Sequence, residues 1–343
     1  MSKASELKAT QLCSPNFGYK HFLKLFQRKG ITDIDLSPVK LILNGAEPIS
    51  WELCEEFLAA LSSYGLKRTA MYPVYGLAEA TVGVSLPTPG AEYSRITVDR
   101  HSLRIGDYYR AVDPNDEDAV SFVKVGSAIR DVEIRIADDD DKVLADGVIG
   151  NIQLSGGSVT ERIYGDSDAT AALFSADGWL RSGDCGVFVD GELVITGRQK
   201  DIIIINGQNY YPHDIEEIVA RLDGLDLNKV IVAGATPRGG QTEELIVFIL
   251  HRQALEDFQP IIAQVHDLIG EQTGLEIDKV IPVSRIPKTT SGKVQRAKLL
   301  DAYVDGEFDA VLDELVPDEE IVDAGDEDAL VSELLTMCCE FSK

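Results

Sequence analysis

The chain has 343 residues, of which 44% are hydrophobic, and a formal net charge of −26 at pH 7. This length suffices for two or three domains that each bury a core. The negative charge argues against nucleic acid as a partner, because an acidic surface repels the phosphate backbone. No run of about 18 apolar residues occurs, so we expect no membrane span. The N-terminus lacks the apolar core of a secretory signal, which predicts a cytoplasmic protein.

The first 95 residues show the pattern of an α/β fold. Two segments have the apolar spacing of helices, HFLKLFQRKG and WELCEEFLAALSSYG. Between them lies a compact apolar run that ends in Gly, VKLILNG, which is typical of a buried strand. Loops at the ends of such strands are natural places for ligands. We therefore predict an α/β domain over residues 1–95.

Residues 96–198 are predicted to form a β-rich subdomain. Apolar and polar residues alternate in VEIRIAD, and two further short strands are expected at GNIQLSG and GELVITG. An acidic run, residues 138–141, lies between two of these strands and has no metal-ligand spacing. We interpret it as a solvated turn rather than as a metal site.

Residues 199–300 are predicted to form a small α+β domain. The helix PHDIEEIVARL opens with Pro and has acidic residues in its first turn. Two strands, KVIVAGA and EELIVFILHR, precede a second helix, QPIIAQVHDLIGEQTG. A basic segment, PKTTSGKVQRAKLL, closes the unit.

The last segment, residues 301–343, is an acidic tail with eight Asp and seven Glu against one Lys. Such a composition predicts that the tail does not fold by itself. Its end is an exception, because ALVSELLTMCCEF has the spacing of an amphipathic helix. Two interpretations of this terminal helix stay open: it docks onto the body, or it begins a further domain.

Five short motifs follow one another in a fixed order. They are LNGAEPIS (43–50), YPVYGLAEAT (72–81), GWLRSGDCG (178–186), TGRQKDIIIINGQNYYPHDIE (196–216) and PKTTSGKVQR (287–296). Together they resemble the adenylate-forming superfamily of acyl-CoA synthetases, fatty acyl-AMP ligases and peptide-synthetase adenylation domains. The resemblance implies part of a large α/β adenylate-forming domain with its β-rich subdomain, followed by a mobile C-terminal lid domain.

The resemblance implies an adenine pocket in the first two motifs. It places Ala46, Glu47 and Pro48 along the adenine, in a small-residue turn that lets the backbone approach a flat base. Tyr75, followed by Gly76, would stack on that ring with its π-surface. The alternative for Tyr75 is a core aromatic side chain beside a glycine turn.

Polar groups for the ribose and phosphates are implied by the next motifs. Asp184 matches the aspartate that accepts hydrogen bonds from the ribose hydroxyls, and Arg198 matches an arginine that contacts the nucleotide. Glu79 matches the catalytic carboxylate that holds Mg²⁺. The alternatives are that Asp184 and Arg198 are each half of a surface salt bridge and that Glu79 is a solvent-facing side chain. Ala78 stands where many relatives have Thr, as is common in fatty acyl-AMP ligases.

Lys293 matches the principal catalytic group of the family. Attack of a carboxylate on the α-phosphate of ATP brings two anions together, so a mobile cation is needed. The alternative is a solvated basic loop. Lys200 matches the hinge about which the lid rotates, and Gly207 would border the tunnel for the pantetheine thiol.

The acid and the acceptor are inferred from two further features. SPNFGY, residues 14–19, resembles the stretch that borders the acyl pocket of fatty acyl-AMP ligases, where Asn16 and Phe17 lie. This stretch is uncharged, which favours a fatty acid over an amino acid. A long spacer after the second motif resembles the insertion that hinders lid rotation in fatty acyl-AMP ligases. We therefore expect transfer to an acyl carrier protein, with an acyl-CoA synthetase using CoA as the alternative.

The expected activity is ATP- and Mg²⁺-dependent formation of acyl-AMP with release of pyrophosphate. One element of the family is absent from the sequence, the Ser/Thr/Gly-rich loop ending in Pro-Lys-Gly whose backbone donors hold the phosphates. The chain is therefore expected to be a fragment, a remnant, or a split subunit whose partner is the missing N-terminal half. A non-catalytic interaction module is the alternative from another class.

Overall fold

The computed structural model describes residues 1–30, 33–205, 208–227, 229–236, 243–289 and 293–315. Within these ranges it contains eight α-helices: α1 Ser2–Glu6, α2 Asn16–Lys29, α3 Trp51–Leu61, α4 Ser167–Leu173, α5 Pro212–Val219, α6 Gln259–Thr273, α7 Arg296–Val304 and α8 Asp309–Leu315. None of the described helices is long and apolar enough to cross a membrane.

The strands fall into three main sheets and three strand pairs. In chain order they are β1 Gln11–Cys13, β2 Leu41–Asn44, β3 Met71–Pro73, β4 Ser85–Leu86, β5 Arg95–Asp99, β6 Ala119–Val123, β7 Ser127–Ala128, β8 Val132–Ala137, β9 Gly150–Gly156, β10 Leu180–Val189, β11 Glu192–Arg198, β12 Ile203–Ile205, β13 Gln208–Tyr210, β14 Val230–Ala235, β15 Glu244–Leu250 and β16 Lys279–Val283. The pairs are β4 with β7, β5 with β6, and β12 with β13.

The first sheet is parallel, in the order β1-β2-β3. Helix α3 packs on it because its apolar residues recur at helical spacing, and Phe57 and Leu61 are fully buried. The Ser50 side chain caps α3 by accepting a hydrogen bond from the amide of Leu53. The loop between β2 and α3 therefore lies at the carboxyl ends of parallel strands, where α/β sheets bind ligands.

The second sheet is antiparallel, in the order β11-β10-β9-β8. Strands β10 and β11 pair Asp184 with Arg198 across the ladder, and the register of β10 shifts on both sides near Cys185. Such a shift re-aims side chains at a sheet edge. The acidic run after β8 forms a turn, in which the Asp138 carboxylate accepts hydrogen bonds from the amides of Asp140 and Lys142.

The third sheet has the order β14-β15-β16, with one antiparallel and one parallel pair. Helices α5 and α6 bury one of its faces, with Ile215 and Ile269 fully enclosed, and α7 covers the other through Leu299. The mixed α/β architecture predicted from the sequence is confirmed.

The acidic composition beyond residue 300 does not keep the chain from packing there. Helix α7 continues to Val304, and α8 brings Leu315 into the core beneath the third sheet. The ring of Phe308 lies 5.7 Å from that of Phe248, centroid to centroid. These apolar side chains offset the charge of their neighbours. The terminal amphipathic helix predicted over residues 329–341 lies outside the described residues.

Candidate nucleotide site

Asp184 is the centre of a polar cluster between the first and second sheets. Its side chain is buried, with 6% of the residue exposed. The Tyr75 hydroxyl donates to Oδ2 over 2.7 Å, and the Nε of Arg198 donates to Oδ1 over 3.0 Å. The structure thus brings together three of the residues singled out in the sequence, although Tyr75 and Asp184 are 109 positions apart.

The electrostatics of this cluster suit a hydroxyl-binding carboxylate. Burial raises the pKa of Asp184, while the hydrogen bond from Tyr75 and the charges of Arg198 and Lys293 oppose that rise. Burial likewise raises the pKa of Tyr75, so its hydroxyl remains a donor at neutral pH. The Arg198 side chain is 53% exposed and so faces open space beside the buried carboxylate. Each carboxylate oxygen keeps a further lone pair for a ligand hydroxyl.

The loop after β2 packs closely against the segment that carries Tyr75. The Val74 amide donates to the carbonyl of Asn44 over 2.8 Å, and a Cβ on Gly45 would lie 2.6 Å from the carbonyl oxygen of Val74. Only glycine permits that approach. Ala46 has a φ of 72°, a left-handed conformation that turns the chain sharply. The loop is thereby held beside the tyrosine predicted to stack on the adenine.

The predicted acyl-pocket residues contact the same loop directly. The amide of Phe17 donates to Oε1 of Glu47 over 3.0 Å, and Nδ2 of Asn16 donates to the carbonyl of Pro48. Burial raises the pKa of Glu47. Hydrogen bonds from the backbone amides of Phe17 and Asn16, together with the charges of Lys288 and Lys293, oppose this rise. Phe17 is 42% exposed, so an apolar ring stays available to a ligand.

Glu79 is exposed, and within the described residues no hydrogen bond or ion pair joins its carboxylate to these groups. It belongs to a 3₁₀ helix, Ala78–Ala80. The carbonyl of Glu79 accepts a hydrogen bond of 2.7 Å from the amide of Thr160, which holds this helix in place. Within the described residues no ion pair engages its carboxylate. Gly76 precedes this turn, and a Cβ there would lie 1.5 Å from the carbonyl oxygen of Val82. An exposed, uncompensated carboxylate beside a polar cluster fits a Mg²⁺ ion that keeps several waters.

Lys293 lies on one arm of a short hairpin. Thr289 donates its amide to the carbonyl of Lys293 over 2.8 Å, and the Lys293 amide donates to Oγ1 of Thr289 over 3.0 Å. A bridge pairs Lys288 with Val294. The positive charge of Lys293 acts to lower the pKa of both Asp184 and Glu47.

Arg296 anchors the base of this hairpin. Its Nε donates to the carbonyl of Val232 over 2.7 Å, and its guanidinium pairs with Glu216 on α5. The same guanidinium lies 3.9 Å from Asp201. Asp201 belongs to the 3₁₀ helix Gln199–Asp201, which also carries Lys200, exposed at the predicted hinge. Gly207, predicted to border the thiol tunnel, lies outside the described residues.

Sequence reasoning missed a buried contact between the spacer, residues 82–124, and helix α5. The guanidinium of Arg100 donates to Asp214 over 2.7 Å, with only 5% and 12% of the two side chains exposed. Tyr211, just before α5, is 2% exposed and lies in a core cluster with Phe122 of the spacer. The two charged partners are 114 positions apart, and no local pattern in the sequence connects them.

The spacer also contains a cluster of possible metal ligands. Ligand atoms of Asp99, His101 and Asp118 lie within 4.8 Å of one another. Arg110 pairs with Asp99, and the ring of His101 contacts Asp118 over 3.1 Å. The carboxylates are thus engaged by cationic and imidazole side chains.

Two family models match the chain. The AMP-binding enzyme model matches residues 3–164, and the AMP domain of the Disco-interacting protein 2-like family matches residues 200–312. The chain belongs to the adenylate-forming superfamily of AMP-binding enzymes, which confirms the resemblance seen in its motifs.

Two of the similar proteins are named as ligases of fatty acids. The chain is 31% identical to a long-chain-fatty-acid–AMP ligase of Mycolicibacterium smegmatis, over 90% of this chain and 55% of that protein. It is 30% identical to a medium-chain-fatty-acid–[acyl-carrier-protein] ligase of Moorena producens, over 89% of this chain and 54% of that protein. A solved structure from work on fatty acyl-adenylate ligases of E. coli and L. pneumophila matches with a TM-score of 0.77 and 30% identity, over 90% of this chain and 55% of that one. The chain spans about half the length of the curated relatives it matches.

Proposed function

We propose that the chain belongs to an AMP-forming ligase that activates a fatty acid as acyl-AMP and releases pyrophosphate, with ATP as co-substrate and Mg²⁺ as its metal. The observation that carries this proposal is the buried Asp184 carboxylate, which accepts hydrogen bonds from Tyr75 and Arg198. A carboxylate with free lone pairs binds the two ribose hydroxyls, and the exposed Arg198 side chain contacts the nucleotide.

Lys293 has the role of a mobile cation in the chemical step. One oxygen of the fatty acid carboxylate forms a bond to the α-phosphorus of ATP, and the bond from that phosphorus to the pyrophosphate oxygen breaks. Negative charge accumulates between the two anions, and the Lys293 ammonium offsets it. Mg²⁺ held by Glu79 supplies further charge neutralisation when bound.

A fatty acid is favoured as the substrate by the named relatives and by the residues at the acyl side. Phe17 offers an exposed apolar ring next to the adenine loop, which its amide contacts through Glu47. An amino acid would need a carboxylate free to hold its ammonium group. Residues 14–19 include no charged side chain.

An acyl carrier protein is the proposed acceptor, in preference to CoA. We assign residues 199–315 to a lid that moves about Lys200 relative to residues 1–198. The Arg100–Asp214 pair and the buried ring of Tyr211 tie that lid to the spacer. Any large rotation must expose these groups to water, which favours limited lid movement over the full rotation expected for a CoA-dependent enzyme.

The test is release of pyrophosphate by the full chain with MgATP and a panel of medium- and long-chain fatty acids. Lys293→Ala removes the catalytic cation, and Lys298→Ala is the matched control, because it removes an exposed charge from α7 outside the hairpin. We expect acid-dependent release that Lys293→Ala abolishes and Lys298→Ala leaves intact. Release that survives Lys293→Ala would contradict the proposed role.

Two further outcomes distinguish the alternatives. A chain that binds AMP without releasing pyrophosphate is a ligase part whose phosphate site is supplied by a further segment. A chain that binds neither AMP nor an acyl-adenylate is an interaction module. Acceptor choice is read separately, from thioester formation on a phosphopantetheinylated carrier protein and on CoA at equal concentration.

A further inference from the structure

The Asn44 side chain is completely buried at the end of β2, directly before the adenine loop. Its Nδ2 donates to Oδ1 of Asn16 over 3.0 Å and to Sγ of Cys54 on α3 over 3.4 Å. Both hydrogens of the amide are therefore used. Within the described part of the chain the Oδ1 of Asn44 has no hydrogen-bond partner.

The donation from Asn44 determines which way the Asn16 amide points. A carboxamide has one acceptor end and one donor end. Because Asn44 occupies the acceptor end of Asn16, the donor end is directed at the carbonyl of Pro48 in the adenine loop. Without Asn44, the carbonyl of Pro48 alone orients the Asn16 amide, so that contact is held less firmly.

A second contact runs between the same two segments in the opposite direction. Helix α2 begins at Asn16 without a side-chain cap from Pro15. The Glu47 carboxylate supplies the missing acceptor, since it takes the amide of Phe17. The start of α2 and the adenine loop therefore each complete the hydrogen bonding of the other.

We infer that Asn44 is a positioning residue that couples the acyl side of the site to the adenine side. It fixes Asn16 against Pro48, so that the acyl chain beside Phe17 and the base beside the loop are bound in one arrangement. This inference rests on the proposed function. It concerns a residue that touches neither ligand, because Asn44 is enclosed between β2, α2 and α3.

The coupling is measured by two ligands on the full chain, with isothermal titration calorimetry. AMP occupies only the adenine side, whereas 5′-O-(N-dodecanoylsulfamoyl)adenosine occupies both sides. We expect Asn44→Ala to lower the affinity for the acyl ligand by about tenfold more than the affinity for AMP, as the loss of one oriented hydrogen bond implies.

Two further variants separate positioning from stability. Asn16→Asp keeps the acceptor for Asn44, loses the donor to Pro48, and puts a carboxylate at the helix N-terminus, so it carries the test if Asn44→Ala fails to fold. Tyr93→Phe removes the hydrogen bond from the Tyr93 hydroxyl to the Glu55 carboxylate on α3, outside residues 14–19 and the adenine loop. We expect it to lower the melting temperature and leave the ratio of the two dissociation constants unchanged.

The inference is overturned if Asn44→Ala and Asn16→Asp change both affinities by the same factor. It is also overturned if Tyr93→Phe shifts the ratio of the two dissociation constants as strongly as Asn44→Ala and Asn16→Asp do. A wild-type chain that binds neither ligand contradicts the proposed function instead, so the two failures are distinct.

Discussion

Replacing Asp214 with Asn removes the charge of one partner in the buried contact between the spacer and helix α5. Asn has nearly the same shape as Asp and still offers one acceptor to Arg100, so the variant leaves packing almost unchanged. The variant leaves the Arg100 guanidinium, on a side chain that is 5% exposed, without the buried carboxylate that pairs with it. The nearest other carboxylate, on Asp118, is 42% exposed and lies 4.0 Å from the Nε of Arg100.

The expected cost follows from this burial. Breaking a buried ion pair by removing one partner costs about 3–5 kcal/mol, because the remaining charge stays in a medium of low polarity. We expect the lower end, about 3 kcal/mol, since Asn retains a hydrogen-bond acceptor. Replacing both residues with apolar ones should recover most of the loss, because no charge is then left buried.

Urea unfolding at pH 7, followed by tryptophan fluorescence, gives the free energy of unfolding. The matched control is Asp177→Asn, which removes the charge from a pair with Arg135 at 2.6 Å in which Asp177 is 58% exposed. We expect that control to cost less than about 1 kcal/mol. A loss below about 1 kcal/mol for Asp214→Asn as well would refute the claim that the spacer and α5 are joined by a stabilising buried pair.

Two further outcomes follow from the structure. Burial raises the pKa of Glu217 from 4.5 to about 8, and the nearby Glu52 charge adds to the rise, so the folded chain binds a proton that the unfolded chain releases. The free energy of unfolding of the wild type should therefore fall as pH rises from about 5 to about 8. Glu217→Gln should stabilise the chain by about 2 kcal/mol at pH 9 and hardly at pH 4. Parallel pH profiles of the wild type and the variant would contradict this. Gly76→Ala should lower the melting temperature by several degrees or prevent folding, because the added Cβ meets the Val82 carbonyl. Gly157→Ala is the control and should leave the melting temperature unchanged, because a Cβ there has no atom within 4 Å. Similar melting temperatures of the two variants would contradict the close approach at Gly76.

Local features of the fold were predictable because their signals are local. The apolar spacing of WELCEEF predicts α3, and the alternation in VEIRIA predicts β8. Residues 301–315 were harder to place, because their acidic side chains outnumber the few apolar ones that reach the core. Composition averages over all residues of a segment, whereas packing depends on the one face that is buried.

The candidate site shows the same division between local and long-range information. Motif order singled out Tyr75 and Asp184, but their direct hydrogen bond depends on how two sheets meet. No sequence motif marks the Arg100–Asp214 pair or the Asn44 amide. Each depends on a partner that lies far away in the sequence or on another secondary-structure element. Such contacts require the three-dimensional arrangement.

The central claim is that the buried Asp184 carboxylate is the nucleotide-binding group of this chain. Calorimetric titration of AMP into the wild type and into Asp184→Asn tests it most directly. Asn keeps an acceptor for the Tyr75 hydroxyl but loses the charge that strengthens hydrogen bonds from the ribose and from Arg198. We expect AMP to bind the wild type and to bind the variant at least about tenfold more weakly. Equal affinity for AMP in the two chains, or a wild type that does not bind AMP, would contradict the claim.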